Sequence, residues 1–196
     1  MYRLIYSLST KNIFNSKWIL LVKSILNNSG FSHVWTKQDA GSGNTPSFKH
    51  TLSQRLKDQF IQSWLSDINN SSTCSNYRIF KTNHGFENYL INLPIVKAIN
   101  LCKYRTSCTK IPIVTGRYNN IDRDNRICTL CNNDIGDEFH YIFICNHFNQ
   151  LRTKYVRPYY TKGANALKME QLFTTSKIEE MKNLANFINY IIDSFK

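Results

Sequence analysis

Cys128, Cys131, His140 and Cys145 fall within 18 residues in the spacing C-x2-C-x8-H-x4-C, and nothing else in the chain restricts its fold as much. Three thiolates and one imidazole make a closed tetrahedral donor set of the kind that holds a structural Zn²⁺, with no position left open for water. Cys128 and Cys131 can turn toward one ion through a tight knuckle. His140 and Cys145 are five residues apart, about 140° on a straight α-helix, so Cys145 should lie at or past the helix end. Asp134, Gly136 and Asp137 read as the turn and the acidic N-terminus of that short helix, and Phe139, Tyr141, Phe143 and Phe148 as its packing face. The bland alternative makes His140 a core histidine and the cysteines small buried hydrophobes. His147 is a rival for a ligand seat, whereas Cys74, Cys102 and Cys108 have no matching spacing and read as core thiols.

Six cysteines without a secretory signal place the chain in a reducing, intracellular compartment, where clustered thiols mean metal rather than disulfide. The most apolar stretch, Trp18 to Leu26, is short and contains Lys23, which excludes a membrane span. The apolar content of 42% suffices for a packed core in a chain of 196 residues.

The net charge of +12 is unevenly spread. Met1 to Val96 carries 10 basic and 4 acidic residues, and Lys97 to Ile127 carries 7 and 2. Between Cys128 and Asn149 there is no Lys or Arg, only Asp134, Asp137 and Glu138, and a second basic cluster follows with Arg152, Lys154, Arg157 and Lys162. Cations interleaved with tyrosines suit a nucleic acid, because Lys and Arg take phosphates while the rings stack on bases. The candidate contacts are Arg105, Lys110, Arg117, Tyr118, Arg123, Arg126, Arg152, Lys154 and Arg157. A zinc knuckle of three thiolates is itself anionic and grips phosphate poorly, so its expected role is a clamp between two basic flanks.

Helical periodicity dominates the rest. Trp18, Ile19, Val22, Ile25 and Leu26 form a core-facing helix stopped at the breaker run Asn27 to Gly30. Gln38 to Pro46 reads as a loop, and Leu52, Leu56, Phe60, Trp64, Leu65 and Ile68 mark one face of a long helix ended by Asn69 to Ser72. Asn76 to Thr82 suits a short strand, Gly85 to Leu93 a helix stopped by Pro94, and Ile95 to Thr106 another. The stripe Ile178, Met181, Leu184, Ala185, Ile188, Ile191, Ile192, Phe195 is an amphipathic C-terminal helix, with Ser176 and Glu179 as a capping box. The expected fold is mostly α: a helical region over 1–96, a basic approach plus zinc-knuckle-like insertion over 97–160, and the C-terminal helix region over 161–196 packing on the same body.

The run Gly136 to Cys145, with the Cys128/Cys131 pair before it, resembles the C-terminal region of reverse transcriptases of non-LTR (LINE-like) retrotransposons and of similar invertebrate retroelement-derived proteins. Lys103-Tyr104-Arg105-Thr106-Ser107, then Thr115-Gly116-Arg117-Tyr118 and Arg126-Ile127-Cys128, look like the basic helix and Gly-Arg turn leading into such fingers. The resemblance covers about Phe86 to Tyr160. It implies a region that follows the polymerase thumb and helps hold RNA and DNA during target-primed reverse transcription. It also implies a nuclear site of action and a reverse-transcriptase domain of the same polyprotein as a partner. The catalytic parts of that family are missing. No Asp-Asp pair follows an aromatic residue, and Arg157-Pro158-Tyr159 lacks the Asp that a restriction-like endonuclease places after Pro. The expectation is a non-catalytic nucleic-acid-binding module, with a structural or protein-interaction zinc domain as the alternative.

Overall fold

The computed structural model describes residues 2–11, 16–39, 45–73 and 75–196. Its helices are α1 (Tyr2–Thr10), α2 (Lys17–Asn28), α3 (Ser32–Lys37), α4 (Thr45–Asn70), α5 (Tyr77–Phe80), α6 (Tyr89–Asn92), α7 (Ile95–Arg105), α8 (Pro112–Tyr118), α9 (Asn149–Tyr155), α10 (Pro158–Thr161), α11 (Ala166–Phe173) and α12 (Ile178–Asp193). The only β pairing among the described residues is one isolated antiparallel bridge, Ile127 with Ile135, so the fold is mostly α. None of these helices is long and apolar enough to cross a membrane. The chain divides into two compact units, Met1–Ser63 and Trp64–Lys196, with the boundary inside α4.

In the first unit Ile19, Leu26 and Trp35 are buried, with Tyr6, Val22, Phe31, Val34, Phe48 and Leu52 packed around them. The predicted breaker ends α2 by a Schellman closure: Phe31 N–H reaches Leu26 O at 2.7 Å and Gly30 N–H reaches Asn27 O at 3.1 Å. Gly30 sits at φ +81°, where a side chain would be strained. Two expectations need correction. Trp18 is exposed rather than core facing, and Leu56 and Phe60 on the α4 stripe are exposed as well. Of the loop expected over Gln38 to Pro46, residues 40–44 lie outside the described residues, and Thr45 and Pro46 already belong to α4.

The second unit is built on α7 against α12, with α9 on α12 and α11 on α5. The α12 stripe is buried at Met181, Leu184, Ala185, Ile188 and Ile191, joined by Phe187, while Ile178 is exposed. Phe80, Phe173 and Tyr104 stack in sequence, with centroids 4.7 and 6.5 Å apart. That stack explains why residues 77–80 form a helical turn rather than the expected strand: the turn aims Phe80 at Phe173. The expected Gly85–Leu93 helix shrinks to α6, because Glu87 in the preceding segment is drawn into ion pairs with Lys81 at 2.7 Å and Arg105 at 3.1 Å.

The start of α12 also departs from the expected Ser176/Glu179 box. Thr175 Oγ1 accepts the Lys177 N–H and donates to Glu180 Oε2. Tyr160 O–H donates to the same carboxylate at 2.9 Å, and Arg157 pairs with it at 2.7 Å. Burial pushes the Glu180 carboxyl up, but those hydroxyls and the Arg157 and Lys177 charges outweigh it and hold it below the ordinary value. A lowered folded value means stability present above the unfolded value of 4.5 and lost as pH falls through the folded one. Glu180→Gln is therefore expected to destabilise by about 1–3 kcal/mol near neutral pH, with the gap closing in acid. Thermal melts across pH check this, and a gap that stays constant into acid contradicts it.

Candidate metal centre

The segment between α8 and α9 turns the four ligands toward one point. The Ile127–Ile135 bridge brings the chain back on itself, with Cys128 N–H on Asp134 O at 2.8 Å and Gly136 N–H on Arg126 O at 2.9 Å. Asn132 takes φ +53° and closes the knuckle through its N–H on Cys128 O. Gly136 allows a close approach: a Cβ there would stand 2.5 Å from Tyr141 Oη and 3.1 Å from Cys128 Cα. Asp137 Oδ1 then accepts the His140 N–H at 2.8 Å, the N-terminal acidic cap read from the sequence.

His140–Ile144 is a single π-helical turn closed by Cys145 N–H on His140 O at 2.8 Å. The i→i+5 closure brings residue 145 nearly over residue 140, removing most of the angular separation that a straight α-helix would impose. Cys145 lies just past the turn with extended ψ, as the spacing required. The donor atoms of Cys128, Cys131, His140 and Cys145 all lie within 4.8 Å of one another. Cys128 and Cys145 Sγ are 3.9 Å apart, and Cys131 Sγ is 3.3 Å from His140 Nε2. Thiolates about 2.3 Å from a tetrahedral ion have edges of about 3.8 Å, so this cluster can hold a metal ion with little movement. His147 is exposed, stacked edge-on against Phe148, and takes no part.

The electrostatics favour a metal at His140 and Cys128, while Cys145 has to give up a tightly held proton to bind one. Burial, helped by Arg152, outweighs the Asp134 and Asp137 charges and holds His140 below its ordinary value, which favours the neutral ring that a metal binds. Burial also pushes Cys128 up, but the Tyr141 hydroxyl and the Leu130 and Cys131 amides around its sulfur hold it below the usual thiol value. Cys145 is pushed up to about 12 by burial and by the neighbouring Cys128 sulfur. Tyr141, Phe143 and Phe148 are buried and Phe139 half-buried, and Cys128 and Cys145 belong to the main core of the second unit. The finger is thus part of that core rather than an appendage on it.

The nine candidate nucleic-acid contacts divide sharply. Arg105 and Arg152 are corrections, being 2% and 5% exposed. Arg105 donates to Phe173 O at 2.7 Å, pairs with Glu87, and lies over the Phe80 and Tyr89 rings. Arg152 donates to the carbonyls of Ile142, Tyr141 and Cys145. Arg126 is half-buried, holding Ile121 O and Ile113 O while its stem crosses Gly116. Gly116 therefore lies inside α8, not in a Gly-Arg turn. Lys110, Tyr118, Arg123, Lys154 and Arg157 are exposed and Arg117 half-buried, with Arg157 engaged by Glu180. Of the three acidic residues in the finger, Asp134 is exposed, Glu138 is interior and bound by Asn76 Nδ2 at 2.7 Å, and Asp137 is spent on its cap. Cys108 is exposed and Cys102 half-buried rather than both being core thiols, and Cys74 lies outside the described residues. No protein-family model, curated protein or solved structure matches the chain, so the metal cluster and its surroundings carry the functional reading.

Proposed function

We propose that the second unit is a zinc-stabilised nucleic-acid-binding module without catalysis, related in role to the tail of a retroelement reverse transcriptase. The observation that carries the reading is the Cys128, Cys131, His140, Cys145 set, buried but for the half-buried Cys131, joining a cation-rich approach to a second cationic flank. Zn²⁺ is the ion a closed set of three sulfurs and one imidazole selects, and there its work is structural. The exposed cations Lys110, Arg123 and Lys154, with the half-buried Arg117, would meet phosphates.

A protein-interaction reading has one specific support: Leu90, Ile91, Ile95, Val96 and Ile99 leave an exposed apolar patch on α6 and α7. Another domain of the same polyprotein, of the reverse-transcriptase kind that the resemblance implies, suits such a patch. Elemental analysis and mobility shifts with DNA and RNA at rising salt test the main reading. One zinc per chain and an affinity that falls steeply with salt are expected. A zinc-loaded chain that retards neither nucleic acid would leave only the interaction reading standing.

A further inference from the structure

Beside the finger, Arg78 joins three arginines clustered some forty residues further along the chain, Arg117, Arg123 and Arg126, to line one open cavity of about 520 Å³. The rest of its lining is the asparagine and serine run 69–72 with Ser75, and no carboxylate lines it. None of the four arginines is in a salt bridge among the described residues. The Glu138 carboxylate reaches only a smaller recess of about 50 Å³ that shares three of these arginines, and Asn76 already engages it. Like charges gathered around one cavity repel, and an anion seated there relieves the repulsion. The guanidinium fork and surrounding amide and hydroxyl donors match phosphate oxygens.

Two of the arginines are fixed by the fold. Arg78 donates to Asn69 O and Ser75 O, and Arg126 to Ile113 O and Ile121 O. Among the described residues no hydrogen bond holds the Arg117 or Arg123 guanidinium, and Arg123 acts on Asp137 through its charge, which leaves the donors of both forks for a ligand. Arg117 lies 5.2 Å from the ring of Tyr118, and that ring is 75% exposed at the end of α8. An open aromatic face next to a phosphate seat is the arrangement that takes a single strand, with the backbone on cations and a base on the ring.

We propose that this arginine-lined cleft is the seat for the phosphate backbone of a single nucleic-acid strand, with Tyr118 as the stacking platform beside it. The proposal rests on the nucleic-acid reading above and assigns its site: Arg78 and the 69–72 run, which sequence reasoning passes over as a helix stop, become part of the interface.

The test is fluorescence anisotropy of the zinc-loaded full chain with labelled oligothymidylate, in DNA and RNA forms, over a range of salt. Arg117→Gln combined with Arg123→Gln is expected to weaken binding about tenfold or more and to flatten the slope of log affinity against log salt by about 1.4, two contacts at about 0.7 each. Lys110→Gln combined with Lys154→Gln is expected to act more weakly. Circular dichroism and zinc content should be unchanged in both pairs, since none of these four side chains holds a backbone group among the described residues. Wild type that binds while the arginine pair binds equally well overturns the cleft alone. Wild type that binds no oligonucleotide overturns the nucleic-acid reading and the cleft with it. Stabilisation by a mononucleotide that depends on Arg123, without strand binding, likewise overturns the strand seat.

Discussion

Chelating the metal from the zinc-loaded chain is expected to abolish cooperative folding of residues 64–196, with most of their helical signal lost in far-ultraviolet circular dichroism. Structural zinc in finger peptides contributes about 10–16 kcal/mol of apparent binding free energy at neutral pH, while a domain of this size is stable by about 5–15 kcal/mol in total. Removal of the larger quantity leaves nothing to hold the smaller. The effect should spread because Cys128, Cys145, Tyr141, Ile142 and Phe148 share one buried cluster with Leu184, Phe187 and Ile188 of α12. Residues 1–63 have their own core around Ile19, Leu26 and Trp35, so a residual helical signal from them is expected to survive. Cys128→Ser should reproduce the chelated state without a chelator. A chelated chain that melts at the same temperature as the loaded one would reduce the cluster to buried thiols.

The ligands were legible because metal chemistry depends on residue type and spacing, both of which a sequence displays. The bounds of α7 and α12 were legible for a related reason: long apolar periodicity and breakers such as Pro94 mark them locally. Short elements were not. Residues 77–80 and 89–92 hold too few apolar positions to separate a helical turn from a strand, and their form is decided by distant partners, Phe173 for Phe80 and Arg105 for Tyr89 and Glu87. Buried arginines escape a sequence in the same way. A lone sequence counts each cation as surface, since Arg is almost never fully buried unless paired. The carbonyl and rings that receive Arg105 come from segments distant in sequence, and the nearby carbonyls that receive Arg152 face it only because the π-turn turns them that way. The π-turn was hidden as well, because one extra residue in a helical turn leaves no compositional mark.

Arg152→Gln is expected to cost about 3–5 kcal/mol of stability and to weaken zinc binding about 10–100-fold, with any change in nucleic-acid affinity following only from those losses. The side chain is buried and donates Nε to Ile142 O at 2.8 Å and Nη2 to Cys145 O at 2.6 Å and Tyr141 O at 3.4 Å. The Cys145 carbonyl also takes the Phe148 N–H at 3.2 Å, so the guanidinium ties the π-turn to the short turn that follows it and fixes how His140 and Cys145 are placed. Its charge has a second effect. Three thiolates around Zn²⁺ carry a net charge of about −1, and a buried anion of that kind is costly without a counter-charge. Arg152 is the cation that would stand beside such an anion, and the Cys145 sulfur in turn opposes the burial that pushes the guanidinium down. Arg152→Lys separates the two roles. An ammonium restores the charge but not the fork, so zinc affinity should recover more than the melting temperature does. Isothermal titration with zinc and thermal melts of both variants measure this. An Arg152→Gln chain that folds and binds zinc like wild type, yet loses its grip on oligonucleotides, would return Arg152 to the surface role that its sequence context suggested.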